Sequence, residues 1–176
     1  MKKYIRPSSL ISVMSIIGML ASPLLLFSQL KTINADNLIR QSDVIVQGSV
    51  KGRMAEWTPK HDKIQTRIVI GINQLMKGTV QGNSMTVVVP GGEVDGVGEW
   101  YSHVPRFDND EEVVLFAKQD KGGVYRVAEG EAGKFTVTID SRTRSKVISN
   151  IGTLDAFSNK IKSTVKLQQA GDGNQQ

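Results

Sequence analysis

The residues best suited to chemistry lie between His103 and Glu112, where a histidine precedes a run of carboxylates. Carboxylate oxygens are the ligands that Ca²⁺ prefers, and Asp108, Asp110 and Glu112 are the candidate metal ligands. The run lacks the turn glycine and the distal glutamate of an EF-hand loop. Zinc sites usually need three or four protein ligands, and the chain has two histidines and no cysteine. We therefore favour a polar turn between strands, with a calcium or zinc site as the alternative.

The sequence gives little support for nucleophilic catalysis. Ser102, His103 and Asp108 supply a serine, a histidine and an acid within a short span. No G-x-S-x-G motif accompanies them, and no pattern indicates an oxyanion hole. The lack of cysteine excludes thiol catalysis and zinc–thiolate sites. We predict no catalytic residue, no cofactor and no enzymatic activity.

A second group of residues is suited to binding. The glycine-rich segment PGGEVDGVG follows a strand but lacks the GK[ST] element of a phosphate loop, so it indicates a bent or bulged strand. Aromatic rings that follow it can anchor an interface, or they can close the end of a barrel core. The candidate binding residues are Trp57, Gly91, Gly92, Glu93, Trp100, Tyr101, His103 and Arg106.

Basic charge is concentrated at the N terminus. Residues 1–35 contain four basic residues and no acidic one, which leaves 18 Lys and Arg against 17 Asp and Glu. The rest of the chain is nearly neutral and gives no support for a nucleic-acid partner. Basic and aromatic residues on the predicted strands are also too sparse for a nucleic-acid surface.

The N-terminal segment has the layout of a secretory signal, with a basic start followed by an uncharged apolar run over residues 10–27. We predict a signal peptide over residues 1–35, with cleavage after Ala35 or, alternatively, near Ala21. The mature protein is then secreted or lies at the cell surface. The alternative is an uncleaved anchor, since a run of about 18 residues is just long enough to span a membrane.

Alternating side chains predict a mainly β domain over residues 36–167. The clearest strand covers residues 63–73, where the side chains of one face are Ile64, Thr66, Ile68, Ile70 and Ile72. A short helical turn covers 35–42, and a loop is predicted over 51–62. The remaining strands are predicted at 44–50, 85–89, 91–98, 113–118, 124–127, 134–140 and 146–148. About seven short antiparallel strands favour an OB-like barrel or a sandwich.

The pattern changes to a helical period near the C terminus. Leu154, Phe157, Ile161 and Val165 form one apolar stripe, and Thr153 is a candidate N-cap. We predict an amphipathic helix that ends near residue 167. Residues 168–176 have nothing to bury and are predicted to be a disordered tail.

Several segments together resemble a family of uncharacterised exported bacterial proteins. They are SDVIVQGSV, TRIVIGINQLMKG, MTVVVPGGEVDGVG, PRFDNDEEVVLFA, YRVAEGEAGKFTV and TLDAF, which span about residues 36–167. The early half is more loosely similar to netrin and metalloproteinase-inhibitor OB barrels, through the turn from Leu75 to Gly78. Those inhibitors use an N-terminal cysteine that this chain lacks. The resemblance implies export and a compact barrel, and it implies no catalytic residues.

These observations predict an exported, non-enzymatic binding or accessory module that acts at the cell surface or outside the cell. Its partner would be an extracellular or envelope protein or component, bound through the loops around residues 91–105. Contact with a membrane is expected only through an uncleaved N-terminal segment. The alternative is a metal-dependent extracellular enzyme or metal-stabilised domain that uses His103 and the 108–112 carboxylates.

Overall fold

The computed structural model describes residues 35–172. The predicted signal segment, residues 1–35, and the last residues of the predicted tail, 173–176, lie almost entirely outside this range. The helices are α1 (Ala35–Gln41) and α2 (Leu154–Asp172), and a 3₁₀ turn covers Gly130–Gly133. The strands are β1 (Val44–Trp57), β2 (Ile64–Lys77), β3 (Ser84–Pro90), β4 (Gly92–Val94), β5 (Val97–Glu99), β6 (Glu112–Gln119), β7 (Tyr125–Val127), β8 (Lys134–Ile139), β9 (Lys146–Ile148) and β10 (Gly152–Thr153).

Five strands close into a barrel. β1 pairs antiparallel with β2, β2 with β3, and β6 with both β7 and β1. β3 pairs parallel with β7, at Val87 and Tyr125. β8, β9 and β10 extend the sheet from β6 beyond the barrel. The predicted mainly β fold, a barrel with a C-terminal helix, is therefore confirmed.

Strand β6 separates two hydrophobic cores. Val113, Leu115 and Ala117 face the barrel interior, with Ile68 and Val87 among their neighbours in that core. The alternate residues of β6 face a second core on the outside, which both helices cover; its members include Leu38, Ile45, Val114, Phe116, Phe135, Phe157 and Ile161. All five residues 113–117 are buried. Coverage on both faces explains why the sequence of this strand is continuously apolar instead of alternating.

The strong alternation of β2 is also confirmed. Ile64, Ile68 and Ile70 are buried, whereas Arg67 and Val69 are exposed. In β8, Phe135 and Val137 are buried, but Ile139, which follows at the same spacing, is 59% exposed. Pairing between β8 and β6 ends at Val137, and beyond that point β8 is paired with β9 alone, as far as Ile139 and Lys146.

The predicted loop over residues 51–62 is wrong in its first half. β1 continues to Trp57, paired with β2 as far as Ile64. Polar cross-strand contacts support this extension, because Glu56 Oε1 accepts hydrogen bonds from Gln65 Nε2 at 2.8 Å and from Arg67 Nε at 2.6 Å. Such pairs stabilise a sheet without apolar alternation, which is why the periodicity of the sequence did not indicate the strand.

The segment predicted as one bent strand over 91–98 is instead a separate hairpin, β4 and β5. Its turn residues, Asp95 and Gly96, both have positive φ angles, 52° and 79°. Two residues with positive φ define a type I′ turn, for which Asp-Gly is a preferred sequence. The Asp-Gly pair was the overlooked signal.

Helix α2 confirms the predicted apolar stripe, since Leu154, Phe157, Ile161 and Val165 are all buried. Thr153 Oγ1 accepts a hydrogen bond from Ala156 N at 3.3 Å, as expected of an N-cap. The helix continues to Asp172, five residues beyond the predicted end, so the predicted disordered tail is wrong over 168–172. Gln and Ala have good helix propensity, and extending an existing helix requires no new nucleation.

Replacing Phe116 with Ala tests the outer core. Its ring is fully buried and lies 5.4 Å from the Phe135 ring and 6.2 Å from the Phe157 ring, centroid to centroid. We expect the free energy of unfolding in urea to fall by about 3–5 kcal/mol, because a large cavity is created. Leu167, which is 74% exposed, is the matched control, and its replacement should change the value by less than about 0.5 kcal/mol. Equal losses in the two variants would contradict the assignment of this core.

Candidate binding site at the barrel mouth

A cavity of about 620 Å³ lies at one end of the barrel. We call it the barrel mouth. One wall is formed by the ends of the first three strands, through Arg53, Ala55, Thr66, Ile68 and Val89. The opposite wall is the segment from Glu99 to Asp108. The mouths of β-barrels and cavities of roughly 300–1,000 Å³ are common places for ligands to bind.

Phe107 forms the floor of the mouth and is part of the barrel core. Its side chain is only 2% exposed. Arg53 Nη1 donates a hydrogen bond to the Phe107 carbonyl at 2.8 Å, and Lys134 Nζ donates one to the Arg106 carbonyl at 2.6 Å. Two cationic side chains from different strands therefore fix the backbone on either side of the buried ring.

Lys134 also pairs with Glu111 behind the mouth. Its Nζ lies 2.6 Å from Glu111 Oε1, and the two side chains are 12% and 13% exposed. The same Nζ lies 5.0 Å from the centroid of the Phe107 ring, within the range of a cation–π contact. Burial acts to raise the pKa of Glu111, but hydrogen bonds from Lys134 and Thr136 outweigh it and lower the pKa below its ordinary value of 4.5.

The β4–β5 hairpin is held against the start of β2. Thr66 Oγ1 donates to the Gly91 carbonyl at 2.7 Å, and Gly91 N donates to the Ile64 carbonyl at 2.8 Å. Glu99 Oε2 accepts hydrogen bonds from Ile64 N at 3.1 Å and from the Tyr101 hydroxyl at 3.0 Å. The hairpin is thus anchored on both of its strands, next to the mouth.

Gly91 and Gly92 are required by this close approach. Their φ angles are 88° and 137°. A Cβ on Gly92 would lie 2.6 Å from Thr66 Oγ1, and one on Gly91 would lie 2.6 Å from the Glu99 carbonyl oxygen. These glycines, predicted as binding residues, line the mouth, and their backbone conformation positions the hairpin.

The two aromatic residues of the rim differ in solvent exposure and in hydrogen bonding. Tyr101 is 46% exposed and donates its hydroxyl to Glu99; this hydrogen bond is the main cause that raises the pKa of the phenol. Trp100 is 74% exposed. Its Nε1 lies beside Gly98, where a Cβ would be only 3.1 Å away. Trp100 therefore does not close the core, and an aromatic binding surface is the interpretation that its exposure supports.

The charges that line the mouth nearly balance. Two guanidiniums, of Arg53 and Arg106, face three carboxylates, of Glu93, Glu99 and Asp108. Arg53 Nη1 lies 4.0 Å from Asp108 Oδ1, and Glu99 is engaged by Tyr101. Within residues 35–172, neither Arg106 nor Glu93 has an ion-pair partner or a side-chain hydrogen bond. Both side chains are exposed and available to a ligand.

Two of the predicted binding residues lie elsewhere. Trp57 does not line the mouth; its ring stacks on that of His61, with centroids 6.3 Å apart. His103 has a φ of 61° and lines a second, smaller cavity of about 270 Å³, together with Val88 and Val127. The structure therefore groups the other six candidates, Gly91, Gly92, Glu93, Trp100, Tyr101 and Arg106, and separates these two from them.

The candidate metal ligands are not brought together. Asp108 faces Arg53, and Glu112 pairs with Lys146 at 2.8 Å while accepting a hydrogen bond from Gln47 at 2.8 Å. Asp110 lies in a turn with a φ of 61°. In the part of the chain that the structure describes, no three His, Asp or Glu side chains are placed to hold one metal ion. The geometry thus gives no support to the metal alternative.

Sequence reasoning did not select Arg53, Thr66, Glu99 or Phe107. Arg53 fell within the wrongly predicted loop. Thr66 and Glu99 are joined to residues 25 and 35 positions away, through the carbonyl of Gly91 and the amide of Ile64 respectively. Phe107 followed a proline and an arginine in a segment with no periodicity. Of the contacts at the mouth, the hydrogen bond between Tyr101 and Glu99 joins residues only two positions apart, so the sequence could have indicated it.

Neither the known protein families nor the curated proteins with which the chain was compared contain a match. The resemblance to exported bacterial barrels therefore remains a prediction. Neither helix within residues 35–172 has both the length and the apolar character needed to cross a membrane.

Replacing Glu111 with Gln tests the anchor behind the mouth. Near neutral pH we expect the free energy of unfolding to fall by about 1–3 kcal/mol, as for a lost hydrogen bond to a charged group. The pKa of Glu111 is lowered in the folded state, so its stabilisation is present above the unfolded-state pKa and is lost as the pH falls through the folded-state pKa.

The urea-unfolding curves of the wild type and the Glu111→Gln variant should therefore converge as the solution is acidified below pH 4.5. Glu131→Gln is the control, because this carboxylate is exposed and has no ion pair in residues 35–172. A gap between wild type and Glu111→Gln that stays constant with pH would show that the pair contributes no charge-dependent stability.

Proposed function

We propose that the protein is an exported, non-enzymatic binding module that holds an extracellular or envelope component at the barrel mouth. The observation that carries the proposal is the position of Trp100. This large ring is 74% exposed at the rim of a cavity of about 620 Å³. Exposed aromatic rings beside a cavity are enriched among residues that dominate binding energy.

The construction of the rim also supports binding. The hydrogen bonds of Thr66, Glu99, Arg53 and Lys134 hold both walls of the mouth in place. A preformed site loses little conformational entropy when a ligand binds. The polar groups of the rim, in contrast, are partly unsatisfied within residues 35–172, as described for Arg106 and Glu93. A rigid cavity with free polar groups is suited to recognition.

The topology favours an OB-type barrel, which is part of the proposal. β6, β1, β2 and β3 are neighbours in that order. The fourth strand of the barrel, β6, therefore lies beside the first, β1, as in a Greek key. A small five-stranded Greek-key barrel is the arrangement of OB domains, which commonly bind oligonucleotides or oligosaccharides. Fold alone does not assign a ligand, so the residues of the mouth must do so.

Replacing Trp100 with Ala should abolish capture of the physiological partner. The immobilised full-length chain would be incubated with culture medium and envelope extract from the cells that produce it. Material retained by the wild type should be lost from Trp100→Ala and retained by Leu167→Ala. Both residues are 74% exposed, and Leu167 lies on α2. Comparing the two variants therefore distinguishes specific binding at the mouth from nonspecific adsorption to exposed apolar side chains.

Circular dichroism should show equal folding of both variants, since changes at exposed positions usually alter stability by less than about 0.5 kcal/mol. Retention of the same material by folded Trp100→Ala would overturn the mouth as the binding site.

The proposed export predicts a processed N terminus. Because residues 1–35 have the layout of a signal peptide, intact mass spectrometry of the protein outside the cell should give an N terminus near Asp36. Full-length protein found only in the membrane fraction would instead establish the uncleaved anchor.

A further inference from the structure

We propose that the barrel mouth binds an N-acetylated oligosaccharide, a short chain of N-acetylhexosamine units. This inference rests on the proposed function and names the chemical class of its ligand. It is carried by three features of the mouth: an exposed indole, two oppositely charged side chains that have no partner within residues 35–172, and an apolar floor.

The exposed indole suits the faces of a sugar ring. Pyranose rings are flat on the scale of an indole, and one or both faces present C–H groups rather than hydroxyls. Aromatic rings have electron-rich faces that attract such weakly positive hydrogens. Trp100 is 74% exposed, and its Nε1 lies beside Gly98. The ring is therefore available as a platform for one sugar unit at the entrance of the cavity.

The charged side chains of Glu93 and Arg106 suit the hydroxyl and amide groups of a sugar. A hydroxyl donates one hydrogen bond and accepts others, so it can be satisfied by a carboxylate and a guanidinium together. Glu93 supplies only acceptors and Arg106 only donors, and both line the mouth. An acetamido group offers the same combination, with an N–H for the carboxylate and a carbonyl for the guanidinium.

The floor distinguishes an N-acetylated sugar from a simple hexose. Ala55, Ile68, Val89, Pro105 and Phe107 contribute apolar side chains to the lining of the mouth. A plain glucose unit carries hydroxyls around its whole edge, and burying them against these side chains would leave them without partners. The acetamido methyl is apolar and can occupy this floor while its amide remains at the polar rim.

The charge of the mouth disfavours polyanions. Oligonucleotide-binding barrels track the phosphate backbone with a positively charged groove. Here three carboxylates outnumber two guanidiniums. A neutral, amide-bearing chain is compatible with this near balance, whereas a polyanion would gain no net attraction from it.

The test uses two β-1,4-linked trisaccharides of equal length, N,N′,N″-triacetylchitotriose (chitotriose below) and cellotriose, which differ in the acetamido groups. The chain contains two tryptophans, so the full-length protein labelled with ¹⁵N gives two indole N–H signals. Trp100 lines the mouth and Trp57 does not, so Trp57 serves as the internal control. The signal of Trp100 is assigned from its absence in Trp100→Ala.

We expect chitotriose to shift the Trp100 indole signal in a saturable manner and to leave Trp57 in place. Its Kd, measured by calorimetry, should be at least about tenfold lower than that of cellotriose. Trp100→Ala should lose binding, Trp100→Phe should retain part of it because a smaller ring remains, and Leu167→Ala should bind as the wild type does.

Other outcomes overturn the inference. Equal affinity for the two trisaccharides would show that the apolar floor does not select for an acetamido group. Binding of an oligonucleotide or a peptide, but of neither sugar, would assign another ligand class to the mouth. If no sugar binds while capture from the envelope extract still depends on Trp100, the saccharide assignment fails and the proposed function stands. If that capture is also independent of Trp100, both fail.

Discussion

The double burial of strand β6 is the constraint on which the rest of the structure depends. Its residues 113–117 supply apolar side chains alternately to the barrel interior and to the core beneath the helices. The strand also pairs with β1, which closes the barrel, and with β7 and β8 along its other edge. A polar substitution in this segment would therefore disturb either one core or the other, and with it the closure of the barrel.

The mouth is a consequence of how the chain enters β6. The segment that precedes this strand must return from the end of β3 across the open end of the barrel. Phe107 fills that end, and Arg53 and Lys134 hold the backbone beside it. The pair formed by Lys134 and Glu111 joins β8 to the residue immediately before β6. The same contacts that complete the core therefore also shape one wall of the cavity.

The predictable part of the structure was the part governed by a single periodicity. The alternation of Ile64, Ile68 and Ile70 and the stripe of Leu154, Phe157 and Ile161 both correspond to buried faces. Polar pairing extended β1 to Trp57, and an Asp95-Gly96 turn divided the glycine-rich segment, so these features needed cross-strand information. Helix α2 extends to Asp172 through Gln and Ala residues of good helix propensity, although the sequence there has no apolar pattern.

The site was predictable in residue type but not in arrangement. Trp100, Tyr101 and the neighbouring glycines were selected because aromatic and glycine residues are unusual together. Their grouping with Arg53 and Thr66 depends on the register of β1 and β2, which no local pattern fixes. For the same reason Trp57 and His103, equally plausible by type, lie outside the mouth.

Hydrogen–deuterium exchange with mass spectrometry tests most directly whether the mouth is the binding surface. The full-length protein would be compared alone and with the envelope extract of the cells that produce it. Binding at the mouth predicts slower exchange in peptides covering residues 91–108 and the end of β1, with no change in α2. Protection confined to α2 or to β8–β10, with the mouth unaffected, would contradict the account.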